Sequence, residues 1–200
     1  MKLQVLHGAF LAALLVVGCG GQTEQQADTE TTGGTEETQA EAPSALRAVA
    51  LLEPTEGNDV HGRVEFEVVD GGVRVHAEVE GLTPGLHGFH VHEKGDCSAP
   101  DAGSAGGHFA PHGNPHGAPD DLPTERHVGD LGNLNADSTG VARYDRIDMV
   151  ISLEGENSIV DKAVIVHSGE DDLESQPTGD AGARVACGVI RTEATSEGAY

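Results

Sequence analysis

Two histidines separated by one residue, His90 and His92, are the first side chains in this sequence whose types and spacing could do chemistry. They stand in the run 88–92, Gly-Phe-His-Val-His. Residues i and i+2 of a β-strand project from the same face, so a strand here would point both imidazoles in one direction. Such a pair forms half of a metal site, although an isolated pair is more often simply exposed to solvent.

Further metal-binding side chains follow in a stretch with little periodicity. Imidazole suits copper and zinc, and one carboxylate among imidazoles suits zinc in a tetrahedral site. Seven of the chain's 11 histidines lie between positions 87 and 127, which core packing does not explain. The sequence therefore predicts metal binding, and the residue types leave open which side chain binds which ion. The candidates are His90, His92, His108, His112, His116, His127, Asp130 and His167, the last at the end of an apolar run.

Short strands must position these side chains. Apolar and polar residues alternate over 60–68 and again over 73–79, and Asp70-Gly71-Gly72 between these runs is typical of a hairpin turn. About eight short strands, together with 28 Gly and no Trp, favour an all-β antiparallel barrel or sandwich. The further strands are predicted over 46–53, 87–93, 141–153 with an interruption, 159–166 and 184–191.

A long segment without periodicity, residues 94–124, separates two groups of these strands. A structureless loop of about thirty residues in a compact domain is usually functional or fixed by a cross-link or ligand. The sequence offers both a metal and a disulfide for that purpose.

Five sequence motifs occur in a fixed order along the domain. They are 81–92 (Gly-Leu-Thr-Pro-Gly-Leu-His-Gly-Phe-His-Val-His), 107–109 (Gly-His-Phe), 126–133 (Arg-His-Val-Gly-Asp-Leu-Gly-Asn), 166–167 with 171–173 (Val-His and Asp-Asp-Leu), and 182–190 (Gly-Ala-Arg-Val-Ala-Cys-Gly-Val-Ile). Together they resemble the signature of the copper/zinc superoxide dismutases over residues 46–192. The resemblance implies an eight-stranded antiparallel Greek-key barrel with a long metal-binding loop and an electrostatic loop.

The resemblance also implies a specific set of ligands, with His108 bridging the two metals. Copper would be bound by His90, His92, His108 and His167, and zinc by His108, His116, His127 and Asp130. All seven ligand positions are filled, which would be unexpected in a relative that had lost catalysis. Asp171 matches the carboxylate that links a copper ligand to a zinc ligand, and Cys97 and Cys187 match an intrachain disulfide.

The implied reaction is the disproportionation of superoxide to dioxygen and hydrogen peroxide by redox cycling of copper. His108 would be both ligand and acid, and Arg184 would attract and orient the anion beside copper. The loop between His167 and Arg184 contains no Lys or Arg, so Lys94 and Arg126 are candidates for steering the anion instead. We expect an active enzyme whose rate is less enhanced at low ionic strength than that of relatives that have lysines in this loop.

The other histidines have simpler interpretations. His87 matches a structural position of the family, and His112 is expected to lie at the surface or to form loop hydrogen bonds. His61 and His76 lie in strand patterns that imply no chemistry.

The N-terminus is typical of an exported lipoprotein. Residues 1–18 have the length of a signal peptide, and 16–19, Val-Val-Gly-Cys, resemble a bacterial lipobox in which Cys19 is lipidated. Residues 19–45 would be a disordered acidic tether and 193–200 a polar tail. The absence of Asp after Cys19 favours an envelope location at the outer membrane, facing the periplasm.

Charge limits the range of functions. The formal net charge is −23, and residues 46–192 contain 26 acidic against 10 basic side chains, which argues against nucleic acid as a partner.

Two alternatives to the enzyme are a periplasmic copper- and zinc-buffering lipoprotein without catalysis and a structural module. Arg184 and Asp171 favour the enzyme, because a metal buffer needs neither. The sequence is compatible with both a monomer and a homodimer.

Overall fold

The computed structural model describes residues 46–193, which form nine β-strands and one short 3₁₀ turn at Gly103–Ala105. The predicted signal peptide, Cys19, the tether and nearly all of the polar tail lie outside the described residues. Residues 46–193 contain no helix that is long and apolar enough to cross a membrane. The strands are β1 (Arg47–Pro54), β2 (His61–Val69), β3 (Gly72–Glu80), β4 (Gly85–His92), β5 (Asp130–Ala136), β6 (Ala142–Asp148), β7 (Ala163–His167), β8 (Arg184–Val189) and β9 (Arg191–Thr192).

The strands close into an antiparallel barrel. Their order is β2-β3-β6-β5-β4-β7-β8-β1, and β1 also pairs with β2, which joins the two edges of the sheet. The two-residue β9 pairs with β1 beside the end of β8. The connections from β3 to β4 and from β6 to β7 pass over neighbouring strands, which gives the Greek-key order. The predicted eight-stranded antiparallel barrel is therefore confirmed.

Alternation of side chains explains the first hairpin. In β2, Val64 and Phe66 are fully buried while Glu65 and Glu67 point outward. The turn at residues 70–71 connects β2 to β3, and Gly72 begins β3 with a φ of +149°. A Cβ at Gly72 would lie 2.2 Å from the carbonyl oxygen of Asp148, so this position requires glycine.

Two predicted strands are shorter than expected, and one strand was not predicted. The strand predicted over 141–153 ends at Asp148, and the one predicted over 159–166 begins only at Ala163. Strand β5 was not predicted, because its sequence Asp-Leu-Gly-Asn-Leu-Asn-Ala lacks a period of two and contains residues with low strand propensity. In the barrel, Leu131 and Leu134 of β5 are both fully buried.

Two long connections cover one outer face of the barrel. Residues 93–129 follow β4 and residues 168–183 follow β7, and neither contains a β-strand of the barrel. On β4, Phe89 and Val91 belong to the core, while His90 and His92 point outward and are nevertheless buried, because these connections cover them. The fold therefore creates a buried polar layer between the barrel and its two loops.

The longer connection is covalently fixed to the barrel. Cys97 forms a disulfide with Cys187 of β8, and their Cα atoms are 5.8 Å apart. This bond was implied by the family resemblance and is present in the structure. The two residues are 90 positions apart, so in the chain-entropy model the cross-link stabilises the fold by about 4–5 kcal/mol.

Candidate metal centre

Four histidines meet in the layer between the barrel and its loops. His90 and His92 come from β4, His167 ends β7, and His108 is joined to His92 by an isolated antiparallel β-bridge. One nitrogen from each ring lies within 4.8 Å of the corresponding nitrogens of the others. The spacing of His90 and His92 on one strand therefore produces the shared face that their alternation predicts.

In each of these four rings, one nitrogen has a hydrogen-bond acceptor. His90 Nε2 is 2.7 Å from Asp171 Oδ2, His108 Nδ1 is 2.8 Å from Asp130 Oδ1, and His167 Nδ1 is 3.1 Å from the carbonyl oxygen of Gly182. His92 Nδ1 is 2.9 Å from the carbonyl oxygen of Gly106. The contacts of His90, His92 and His167 fix the orientation of these rings, as outer contacts of metal-binding histidines do, whereas the partner of His108 belongs to the second cluster described below.

The other nitrogen of each ring is buried and has no hydrogen-bond partner among the described residues. These atoms are His90 Nδ1, His92 Nε2, His108 Nε2 and His167 Nε2. A buried polar atom without a partner is rare and costs about 1–3 kcal/mol. Four buried lone pairs directed at one point destabilise the fold unless an electron-pair acceptor binds them. The donor set, four imidazole nitrogens, fits copper.

Burial keeps these imidazoles neutral. It lowers the pKa of His90 to about 3, that of His92 to about 2 and that of His167 to about 4. A neutral ring offers a lone pair to a cation at physiological pH, whereas a protonated ring would not. The rings whose free nitrogens converge are therefore also in the neutral state that can bind a cation.

A second cluster shares His108 with the first and contains a carboxylate. Asp130 Oδ1 lies 2.8 Å from His108 Nδ1, 3.0 Å from His116 Nδ1 and 3.2 Å from His127 Nδ1. Nδ1 atoms of His108 and His127 are 3.4 Å apart. Ligands bound about 2.0 Å from a tetrahedral zinc ion are about 3.3 Å from one another, so these separations match a zinc site.

The hydrogen bonds and the charge of Asp130 also support a zinc site. His116 Nδ1 lies 3.0 Å from Asp130 Oδ1 at an angle that does not form a hydrogen bond. The other carboxylate oxygen, Asp130 Oδ2, accepts hydrogen bonds from the backbone N–H groups of Gly117 and His127. Burial would raise the pKa of Asp130, but contacts with His108, His116 and His127 hold it far below its ordinary value. Three imidazoles and one ionised carboxylate fit zinc.

Asp171 connects the two clusters. Its Oδ2 accepts from His90 Nε2 at 2.7 Å and its Oδ1 accepts from His116 Nε2 at 2.9 Å. The backbone of Asp171 is held by the side-chain amide of Asn133, which accepts its N–H at 2.8 Å and donates to its carbonyl oxygen at 2.9 Å. Asn133 was not singled out from the sequence. Its place at the end of the motif 126–133 is the sequence signal that could have indicated it.

Arg184 lies beside the first cluster and its guanidinium is fixed. Nη1 donates to the carbonyl oxygen of Ala102 at 2.5 Å, and Nη2 donates to that of Gly106 at 2.6 Å. His92 Nδ1 lies 2.9 Å from the same Gly106 carbonyl oxygen, which places the guanidinium beside a ring of the first cluster. The disulfide at Cys187 attaches the loop that supplies these two carbonyls to the strand that begins with Arg184.

Arg126 is not a surface cation, and its candidacy for steering an anion is wrong. The side chain is 1% exposed, and Nη1 donates to Asp148 Oδ2 at 2.8 Å and to the carbonyl oxygen of Pro119 at 2.6 Å. A guanidinium in a buried ion pair attaches the loop to β6 and offers no charge to solvent. Lys94 is exposed, and its Nζ lies 3.7 Å from the carboxylate of Glu93.

The remaining histidines belong to neither cluster, as the sequence indicates. His87 is buried and contacts the carbonyl oxygens of His167 and Thr83, each at 2.8 Å. His112 Nε2 is 2.7 Å from Asn157 Oδ1 at the surface. His61 and His76 are exposed on β2 and β3.

Comparisons with known proteins agree on one family. A family model described as "Copper/zinc superoxide dismutase (SODC)" matches residues 60–190. The chain is 43% identical over 156 residues to an extracellular superoxide dismutase (Cu-Zn) of Brugia pahangi, covering 74% of this chain and 76% of that protein. It is 47% identical over 152 residues to superoxide dismutase (Cu-Zn) A of Xenopus laevis, covering 72% and 97%. A solved structure titled as the clock protein EA4 aligns with a TM-score of 0.67 and 44% identity, covering 76% of this chain and 97% of that one.

Proposed function

This chain belongs to the copper/zinc superoxide dismutase family, and from that premise we propose which of its residues bind the two metals and where it works. It is an oxidoreductase that binds copper and zinc and converts two superoxide anions and two protons into dioxygen and hydrogen peroxide. The roles of individual residues and the cellular location are the parts we propose.

Copper is bound by the four nitrogens that have no other partner, on His90, His92, His108 and His167. The observation that carries this assignment is the convergence of four buried, neutral and unpartnered imidazole nitrogens, one of them on a ring shared with a second cluster. Zinc is bound by that second cluster, His108, His116, His127 and Asp130.

Copper, when bound, supplies the one-electron redox chemistry, and zinc is redox-inert. The chain's own residues bind the anion and manage its protons. A guanidinium has five N–H donors, and Arg184 uses two of them on backbone carbonyls. The other three have no acceptor within residues 46–193 and can bind an anion. Because these two bonds fix the guanidinium beside the first cluster, superoxide meets a preorganised positive charge.

His108 has one ring nitrogen in each cluster, which suits it to proton transfer as well as to metal binding. Nδ1 faces Asp130, and Nε2 belongs to the cluster beside Arg184. We assign Nε2, in the state in which it would not bind copper, as the atom that holds a proton and gives it to the peroxide product. Asp171, through His90 and His116, keeps the neighbouring rings in the orientation that this exchange needs.

For location, we propose that the enzyme is exported, lipidated at Cys19 and held in the cell envelope, at the outer membrane facing the periplasm. The relatives reported above come from animals, so the lipoprotein form rests on the Val-Val-Gly-Cys motif and the acidic segment after it. The disulfide supports export, because such bonds persist mainly in oxidising compartments. Replacement of Cys19 by Ala should abolish incorporation of a labelled fatty acid and release the protein from membranes. Unchanged labelling would contradict the lipid anchor.

The catalytic assignment is tested with the chain from Gln22 onward, which keeps the whole barrel, loaded with copper and zinc. We expect rapid dismutation that is lost in His167→Ala, because that change removes one of the four copper nitrogens. His76→Ala, an exposed histidine on β3, is the matched control and should keep full activity. A loaded chain no more active than free copper would favour the metal-buffering lipoprotein instead.

A further inference from the structure

The side-chain amide of Gln176 pairs with the whole peptide backbone of His116. Gln176 Oε1 accepts the backbone N–H of His116 at 2.8 Å, and Gln176 Nε2 donates to the backbone carbonyl oxygen of His116 at 2.7 Å. The two residues are 60 positions apart, in different loops. An amide that satisfies both polar groups of one residue copies the pairing that a neighbouring strand would supply.

His116 needs such a contact because its own loop gives it none. It lies in a stretch without strand or helix, and within residues 46–193 no backbone group bonds to its N–H or carbonyl oxygen. The other members of the second cluster are held differently. Asp130 begins β5, the N–H of His127 donates to Asp130 Oδ2, and His108 is bridged to His92 of β4.

The same loop also holds the ring of His116, since Asp171 Oδ1 accepts from His116 Nε2. Hydrogen bonds within the loop fix Gln176 relative to Asp171. The carboxylate of Asp172 accepts the N–H groups of Glu174 and Ser175, and the N–H of Gly179 donates to the carbonyl oxygen of Ser175. Every polar group of His116 except Nδ1 is therefore bonded to residues 171–176.

We propose that Gln176 is a positioning residue for the zinc site, one that ties His116 to residues 168–183 so that zinc is retained while this loop is closed. The inference rests on the assignment of His116 as a zinc ligand. Opening of the loop removes the contacts to the backbone and to the ring of His116 together, and only Nδ1 then remains to hold the residue in place. Loop opening and zinc release are thus one coupled event, and bound zinc in turn keeps the loop closed.

The size of the effect follows from the kind of contact. Two neutral hydrogen bonds, one end of each on a partly exposed side chain, contribute modestly. Loss of both should speed zinc release by about tenfold. Among the described residues, the Gln176 side chain hydrogen-bonds only to His116 and Glu174 and not to the copper cluster, so copper binding should not change.

The experiment compares three full-length variants that also carry Cys19→Ala: Gln176→Ala, Gln176→Glu and the control Glu174→Gln. Gln176→Glu keeps the acceptor for the His116 N–H but faces the His116 carbonyl with an oxygen. Glu174 is exposed in the same loop, and its side chain makes no hydrogen bond within the described residues. The readouts are the rate of zinc transfer to a chromogenic chelator, the visible absorption of cobalt substituted at the zinc site, and copper content.

We expect zinc release to be about tenfold faster in Gln176→Ala, intermediate in Gln176→Glu and unaltered in Glu174→Gln. The absorption spectrum of bound cobalt should change in the two Gln176 variants. The copper content should be unchanged in all three variants. Zinc release at the unaltered rate in Gln176→Ala would overturn the proposal, and so would equal loss of copper and zinc, which indicates general unfolding. If Gln176→Ala does not fold, Gln176→Glu decides by the same criteria. A separate His116→Ala variant that still binds zinc normally would instead refute the underlying ligand assignment.

Discussion

His92 and Arg184 share one hydrogen-bond acceptor, the carbonyl oxygen of Gly106. His92 Nδ1 is 2.9 Å from this oxygen, and Arg184 Nη2 donates to it at 2.6 Å. One backbone atom thus orients a ring that we assign to copper and the guanidinium that we assign to the anion. The separation between metal and anion site is fixed by a single peptide, whose loop is attached to β8 by the disulfide.

Replacement of Arg184 by Lys should lower kcat/KM for superoxide by about tenfold and leave copper content unchanged. The ammonium group keeps the positive charge but cannot donate to the Ala102 and Gly106 carbonyls in one planar fork. Stopped-flow measurement of superoxide decay, with metal analysis of the same samples, checks this. Arg143→Lys, on the exposed face of β6 where Arg143 pairs with Glu78, is the control. Equal activity in all three proteins would show that a fixed fork is not needed.

Activity should depend weakly on salt, rising less than about threefold as ionic strength falls from about 150 to 10 mM. Residues 168–183 contain acids but no Lys or Arg, Arg126 is buried, and Lys94 lies near Glu93. The fixed positive charge that residues 46–193 place beside the first cluster is therefore local, at Arg184. A steep rise in kcat/KM at low ionic strength would contradict this account.

The charge of this loop can also be changed directly. Glu174→Lys should raise kcat/KM at low ionic strength and make it more dependent on salt, because it adds a cation to a loop that covers the metal centre. Glu80→Lys makes the same charge change on β3, which pairs with neither β4 nor β7, and should have little effect. Equal responses in the two variants would mean that net charge matters and position does not.

The sequence was sufficient for the barrel, because the alternation of apolar and polar residues is a local signal. The division of the ligands into two sets came from the family resemblance, since the residue types alone left it open. Alternation predicted the β2–β3 hairpin, and the i, i+2 spacing predicted the shared face of His90 and His92. Strand β5 was missed because an asparagine and a glycine of positive φ interrupt its pattern.

Contacts between distant loops could not be predicted, because they depend on a backbone conformation that leaves no periodic signal. The side-chain amide of Asn133 hydrogen-bonds to the backbone of Asp171, 38 positions away. The side-chain amide of Gln176 hydrogen-bonds to the backbone of His116, 60 positions away. Arg126 illustrates the same limit, since a cation in a polar run is indistinguishable from a surface charge until Asp148 is found beside it.

The metal-free protein should be most stable near pH 6.5. Burial lowers the pKa of His90 to about 3 and that of His167 to about 4, so on acidification the unfolded chain takes up these protons first. Stability is therefore lost as pH falls from 6.5 toward 4. His116 acts in the opposite direction. Burial would lower its pKa, but the carboxylates of Asp130 and Asp171 raise it to about 9, so the stability from its proton is lost as pH rises from 6.5 through 9.

Calorimetry of the chelator-treated protein between pH 4.5 and 9.5 measures the pH dependence of its stability, and Tm should have its maximum at about pH 6.5. His116→Gln should remove the alkaline decline and keep the acid decline, since the other two rings are unchanged. A Tm that increases steadily from pH 6.5 to 9 in the unaltered protein would contradict the role given to His116.

Gly179 should be irreplaceable for zinc binding, for a reason separate from its backbone conformation. A Cβ at this position would lie 1.7 Å from Asp171 Oδ1 and 2.7 Å from His116 Nε2, the two atoms whose hydrogen bond joins the clusters. Gly179 also has a φ of +68°, which costs any other residue about 1–2 kcal/mol. Gly155→Ala isolates that cost, because Gly155 has a φ of +76° and nothing lies within 4 Å of its Cβ position.

Gly179→Ala should therefore weaken zinc binding by about 10- to 100-fold, the range typical of damage to contacts just outside a metal's ligands. Gly155→Ala should lower Tm by a similar strain and bind zinc normally. Competitive titration with a chelator of known affinity gives the zinc affinities, and calorimetry gives the two Tm values. If both variants bound zinc equally well, the Asp171–His116 contact would have no part in holding the metal. Because the two changes match in chemistry and in the sign of φ, any difference in zinc affinity measures what the added methyl group does to Asp171 and His116.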